Sequence, residues 1–219
     1  MDKIKAVIFD MDGVMVDSEI HWPEVEKDIW PQFGIKFTPE FKQAIVGINR
    51  KDALAYVKQT YGVEIPMEDI NVMYNAVGET VYKVKSNLMP GVRTLILACK
   101  NFGFDLAIAS SSPLEWIEMV LEKFDLKSYF KTVCSTTSMN VPGKPDPAIY
   151  SITMRQLGLE PSSVIIVEDS VVGVKSGKAS GARVIAVPDK RWSFGDFSQA
   201  DLVVESLQDK KMYTFLGIS

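Results

Sequence analysis

Ala6-Val7-Ile8-Phe9-Asp10-Met11-Asp12-Gly13-Val14 is the stretch that decides how this chain is read. Its first four residues are an unbroken apolar run, the pattern of a strand buried on both faces. Two carboxylates, two positions apart, close that run. Open α/β sheets place their ligand crevice at the carboxyl ends of strands, and Gly13 can adopt dihedrals closed to other residues as the chain turns away. An acid pair at such an edge suits phosphoryl transfer: one carboxylate attacks phosphorus, and the other exchanges a proton with the leaving oxygen. Taken alone, the pair is equally compatible with a turn or a helix cap.

Later strand ends add the missing parts. Residues 104–109 form a second apolar run that ends in Ser110-Ser111-Ser112-Pro113. A hydroxyl there can grip a phosphate oxygen, and Pro113 opens a helix whose free amides favour an anion. In Gly143-Lys144-Pro145-Asp146-Pro147 two prolines fix a lysine in a stiff loop ahead of a helix over 148–157. Held this way, the ammonium can offset phosphate charge at little ordering cost. Residues 164–167 are another apolar strand, ending in Glu168-Asp169-Ser170. A second acidic pair facing the first builds an oxygen-rich site suited to Mg2+.

This ordered set, an acid pair, a hydroxyl, a lysine and a second acid pair, resembles the haloacid dehalogenase superfamily of phosphotransferases. It is most similar to the branch that holds β-phosphoglucomutase and the bacterial sugar-phosphate phosphatases. Residues 9–19, 89–92, 107–113, 143–150 and 167–181 carry the likeness, which therefore spans nearly the whole chain. The resemblance implies an α/β fold, a doubly wound parallel-sheet core over residues 1–18 and 87–219, with a four-helix cap inserted over 19–86. It also implies that Asp10 is the nucleophile and Asp12 the acid and base, while Ser110 and Lys144 hold the phosphoryl oxygens. Mg2+ would be bound by Asp10, by the Asp12 carbonyl and by Asp169, with Glu168 close by. Ser111 and Ser112 then border the substrate. In the cap, Gly47 and Arg50 match a segment that reaches toward the far end of the substrate.

Within that branch the sequence favours hydrolysis. Ser112-Pro113-Leu114 is similar to the hexose-phosphate phosphatases, and residues 69–80 lack the cap lysine that the mutases use. The expected activity is therefore Mg2+-dependent hydrolysis of small sugar phosphates, hexose 6-phosphates among them. A β-phosphoglucomutase-type mutase is the alternative, and a phospho-accepting receiver or phosphate-binding module is a more distant one. His21 is discounted as a base, because the mutases' cap histidine falls nearer Trp22. Trp22, Trp30, Phe33 and Tyr56 are expected to pack inside the cap, as aromatic residues at helical spacing usually do.

Composition bounds the rest. The 219 residues, 47% of them hydrophobic, are enough to bury a sizeable core. A formal charge of -4 gives no electrostatic case for nucleic acid. The partner expected is a small phosphorylated metabolite, and the protein itself is expected to be a monomer or weak dimer. Cys99 and Cys134 lack metal-type spacing and read as reduced thiols. No apolar run approaches the roughly 18 residues needed to span a membrane, and a cytoplasmic location is expected. Strands are predicted at 4–9, 104–109, 130–134, 164–167, 183–187 and 202–204. Helices are predicted at 23–33, after Thr38, and at 51–61, 66–86, 92–101, 114–124, 148–157, 171–180 and the C-terminus.

Overall fold

Residues 3–46 and 48–218 are described by the computed structural model. Strands β1 (Ala6–Phe9), β2 (Asp105–Ser110), β3 (Thr132–Ser135), β4 (Val164–Glu168), β5 (Arg183–Ala186) and β6 (Leu202–Val203) make one sheet in the order β3-β2-β1-β4-β5-β6. Every neighbouring pair runs parallel. Strand order reverses between β1 and β4, so the crevice that parallel sheets open at such a switch point lies beside Asp10.

Period-two alternation explains the two helical layers. Val7 and Phe9 point into one core with Leu106, Ile108, Ile165 and Val167, while Ala6 and Ile8 point into the other with Ala107, Ala109 and Ile166. Helices α5 (Val92–Phe102), α6 (Leu114–Lys123) and α10 (Lys210–Leu216) contribute to the first layer. Helices α8 (Ala148–Leu157) and α9 (Val171–Ala179) cover the second. Burial on both faces is why these strands are continuously apolar rather than alternating.

Between β1 and β2 the chain is helical. It runs through α1 (Trp22–Ile29), α2 (Pro39–Ile45), α3 (Arg50–Tyr61) and α4 (Met67–Glu79). Thr38 caps α2 by accepting from the Phe41 amide, and Asn49 caps α3 by accepting from the Asp52 amide. Caps of this type each stabilise a helix by about 1 kcal/mol.

Two expected helices differ from what forms. The helix predicted over 23–33 ends at Ile29 and tightens into a 3-10 turn over Trp30–Phe33, where Pro31 cannot donate a backbone hydrogen bond. The helix predicted over 66–86 widens after Glu79 into a π-helical stretch, Thr80–Lys85, closed by Ser86 N donating to the Val81 carbonyl. One short helix, α7 (Thr136–Met139), is too brief to leave a periodic signal. The last two-stranded pairing, β5 with β6, is also shorter than predicted.

An aromatic cluster joins the insertion to the sheet layer. The rings of Trp22, Tyr74 and Tyr82 come from the helical segment, and Trp116 comes from α6; Trp22 lies 5.2 Å from Trp116 and 5.3 Å from Tyr74. Tyr82 lies 5.2 Å from Trp116. Gly78 of α4 rests against this indole so closely that a Cβ there would stand 2.5 Å from the Trp116 ring. Both cysteines are buried and free, and burial pushes the Cys99 thiol up to about 12. Among the described residues no helix is long and apolar enough to cross a membrane.

Candidate active site

Asp10 follows the last residue of β1, its amide donating to the Val167 carbonyl at 3.0 Å, and its side chain is buried. Lys144 reaches it from the loop before α8. The ammonium donates to Asp10 Oδ1 at 2.7 Å and to Glu168 Oε1 at 2.6 Å, and the lysine is 2% exposed. Burial works against the Lys144 charge, but Asp10 and Glu168 outweigh it and hold the ammonium well above its ordinary range. Asp10 moves up to about 8, chiefly because burial disfavours its charged form, with Glu168 and Asp12 adding to the effect and Lys144 opposing it.

Glu168 is fully engaged by the protein. Oε1 accepts from Lys144 and from the Tyr150 hydroxyl at 2.5 Å, while Oε2 accepts from the Asp169 and Ser170 amides and the Ser170 hydroxyl. Asp169 is held differently: its Oδ2 accepts from the Trp192 indole at 2.9 Å, and its main-chain oxygen accepts from Ser193 Oγ. Burial, then Glu168 and Asp10, push the Asp169 carboxyl well up. Gly13 makes this approach possible. It has φ +77°, and a Cβ there would stand 2.0 Å from Asp169 Oδ2.

Asp12 collects hydroxyl donors from both parts of the chain. Ser18 Oγ and Tyr82 OH donate to Oδ1 at 2.5 and 2.8 Å, and Ser112 Oγ donates to Oδ2 at 2.7 Å. Ser110 is 1% exposed and accepts from the Ser112 amide at 3.0 Å, which shapes the turn that leaves β2. Ser110, Ser111 and Ser112 line the same cleft as Asp10, Asp12 and Lys144.

The donor set fits a hard divalent cation. Oxygens of Asp10, Glu168 and Asp169 lie within 4.8 Å of one another, all three residues are buried, and every donor is a carboxylate. Among the described residues Lys144 is the one ammonium buried with these three acids, and uncompensated charge in such a place is costly. A cation held between Asp10 and Asp169 would balance it. Glu168, with both oxygens already accepting from protein donors, is built to anchor Lys144 and the β4 turn.

On the helical side, Arg50 opens α3 and lines the cleft. Its guanidinium carbon lies 4.8 Å from the Trp116 ring centre and 5.2 Å from that of Tyr74, and Nη1 donates to Asn71. Gly47, the other cap position singled out, lies outside the described residues. His21 stands 3.7 Å from Asp17 and is not among the residues that line the cleft. Trp22 and Trp30 are buried as expected, yet they also border the cleft, so packing and lining are not exclusive here.

Sequence reasoning missed Tyr82, Tyr150, Trp192 and Ser193. The two tyrosines lie on helices whose register alone would have to aim them, and Trp192 sits in a loop without periodicity. Only its place after the fifth strand, at the same sheet edge as the other site loops, gave a signal.

Comparison with known proteins places the chain in a family. The sequence profile of the haloacid dehalogenase-like hydrolases matches residues 7–187. Hexitol phosphatase B of Escherichia coli (strain K12) is 31% identical over 221 residues, covering 98% of each chain. Phosphorylated carbohydrates phosphatase of Thermotoga maritima is 29% identical over 178 residues, 81% of this chain and 82% of that one. The crystal structure of beta-phosphoglucomutase from Clostridium difficile has a TM-score of 0.81 over 97% of this chain and 96% of that one; at 20% identity it shows a shared fold. With a parallel sheet in this order, acids at its switch point and a profile match over most of its length, the chain belongs to the haloacid dehalogenase-like hydrolase family.

Proposed function

We propose that the protein is a Mg2+-dependent phosphomonoester hydrolase of small sugar phosphates, hexose 6-phosphate-like, working through a phosphoryl group carried on Asp10. The observation that carries this reading is the set of four contacts at the β1 exit: Lys144 paired with Asp10, and Asp12 two residues away under three hydroxyl donors. Relatives that act on phosphorylated carbohydrates support the substrate class.

In this reading Asp10 attacks phosphorus in line with the sugar oxygen, and Asp12 gives that oxygen a proton as it leaves. Water then enters, Asp12 takes a proton from it, and the hydroxide so formed attacks the phosphoryl group, freeing the Asp10 carboxylate and inorganic phosphate. Ser110 and Lys144 hold the phosphoryl oxygens, while Ser18, Ser112 and Tyr82 keep the Asp12 carboxyl aimed. A bound Mg2+ would be held by Asp10, Asp169 and the Asp12 carbonyl, with Glu168 behind them, and would supply neutralising charge where two anions meet. Residues 19–86 act as the cap and the remainder as the core, the cap excluding water from the closed crevice.

Hydrolysis and mutation share every one of these groups, so the ratio of products decides between them. The expected result is steady phosphate release from hexose 6-phosphates and little conversion of β-glucose 1-phosphate to glucose 6-phosphate, even with glucose 1,6-bisphosphate as primer. Isomerisation outrunning hydrolysis tenfold in a coupled assay assigns the mutase instead.

Trp192 gives a separate expectation. Trp192→Phe removes the donor that orients Asp169, and supporting groups of this kind are typically worth about 10–100-fold in metal affinity. The Mg2+ concentration for half-maximal activity should rise by that order, with the rate recovering at high Mg2+. An unchanged Mg2+ titration removes Trp192 from the site.

A further inference from the structure

The Tyr150 hydroxyl, in the first turn of α8, has no part in the proposed chemistry, yet it belongs to a residue with 0% exposure beside the site. It donates to Glu168 Oε1 at 2.5 Å, the same oxygen that accepts from Lys144 at 2.6 Å. The Lys144 ammonium also stands over the ring of this tyrosine, 5.2 Å from its centre. Tyr150 therefore meets both members of the Lys144–Glu168 pair. The loop that carries Lys144 is tied to the same helix, Ala148 N donating to Asp146 Oδ1 at 2.8 Å and Ser176 Oγ to the Asp146 carbonyl at 2.6 Å. Lysine and tyrosine thus keep a fixed mutual position.

Donors and acceptors here are unequally filled. Two donors on Oε1 and three on Oε2 leave none of the roughly four lone-pair sites of the Glu168 carboxylate empty. Lys144 is not saturated in the same way. Its ammonium carries three N–H groups, of which Asp10 and Glu168 take two, and the remaining one can serve a phosphoryl oxygen. Without the Tyr150 hydroxyl, Oε1 would lose a donor at a residue sealed from water, and the nearest replacement is this ammonium. A buried acceptor short of a donor is costly, so Lys144 would lean toward Glu168 and away from the crevice.

We propose that Tyr150 is a positioning residue for Lys144: by filling Glu168 Oε1 it holds the ammonium between Asp10 and Glu168 with an N–H left over for the phosphoryl group. The inference rests on the phosphatase reading, which supplies that phosphoryl oxygen, and deepens it by naming the group that keeps the lysine available. A tyrosine that only fills space would leave anion binding unchanged on losing its hydroxyl, since phenylalanine keeps the ring.

The test uses Tyr150→Phe, with inorganic phosphate as the probe, titrated by calorimetry at saturating Mg2+ and with melting recorded for each protein. Phosphate should bind about tenfold more weakly to the variant, the worth of one redirected charge-assisted hydrogen bond, and kcat/KM for a hexose 6-phosphate should fall with it. In a Lys144→Met background the same change should cost less than about twofold, because its route through the ammonium is gone. Where Lys144→Met does not fold, the Lys144 ammonium resonance takes its place, read by NMR on protein with isotope-labelled lysine, and it should shift between wild type and Tyr150→Phe. Wild-type phosphate affinity in Tyr150→Phe, an equal loss in both backgrounds, an unshifted resonance, or a loss that more Mg2+ abolishes overturns the inference. Phosphate affinities that behave as expected, with no hydrolysis of sugar phosphates by the wild type, count against the phosphatase reading and leave the role of Tyr150 supported.

Discussion

Asp10→Asn protein should fold and should not turn over. The amide keeps the shape of the carboxylate and still accepts from Lys144, but it has no electron pair able to attack phosphorus. Loss of a covalent nucleophile costs about a thousandfold in kcat or more. Stability should hold or rise, because the wild type buries three carboxylates against the single ammonium of Lys144, and the substitution removes one of the surplus charges. Phosphate release with added Mg2+ and thermal melting of the metal-free protein check the two halves separately. Residual activity within tenfold of wild type would refute Asp10 as nucleophile; a collapsed fold would refute the charge-balance argument.

Excess chelator should silence the wild type, and added Mg2+ should restore it. The reason lies in charge: a phosphomonoester dianion must approach a buried carboxylate cluster, and Lys144 cannot neutralise both partners. Asp169→Ala removes a carboxylate that no ammonium among the described residues pairs with, so it should raise the Mg2+ requirement steeply, by about a hundredfold or more, while preserving the melting temperature. Full activity in chelator would rule out the metal, and an Asp169→Ala titration like that of wild type would move the ligand set elsewhere.

The core of the site was legible because each of its residues is announced by its neighbours. Asp10, Ser110 and Glu168-Asp169 each end an apolar run of four or more residues, and Lys144 stands beside a proline with another two positions on. The parallel, helix-flanked sheet followed from the same runs, since parallel strands need crossover helices between them, but its strand order did not. What escaped was whatever depended on angle rather than on position. Tyr82 meets Asp12 from the π-helical turn after Glu79, and a sequence periodicity of 3.6 gives no warning of that change in pitch. Trp192 reaches Asp169 from a loop. Glu168 was legible as an acid at the correct strand end, but sequence says nothing about the five donors that occupy it.

The contact between Gly78 and Trp116 sets a clearance. Because the insertion meets the sheet layer there with no side chain between backbone and indole, position 78 works as a spacer of zero thickness, and any substituent becomes a shim. A methyl group added at that point props the two halves apart by its own width. On the proposed reading the gap would open beside the ring that Arg50 lies against and give water a passage to the crevice. On that reading, how tightly the crevice seals would turn on one missing carbon atom at position 78, far along the chain from Asp10.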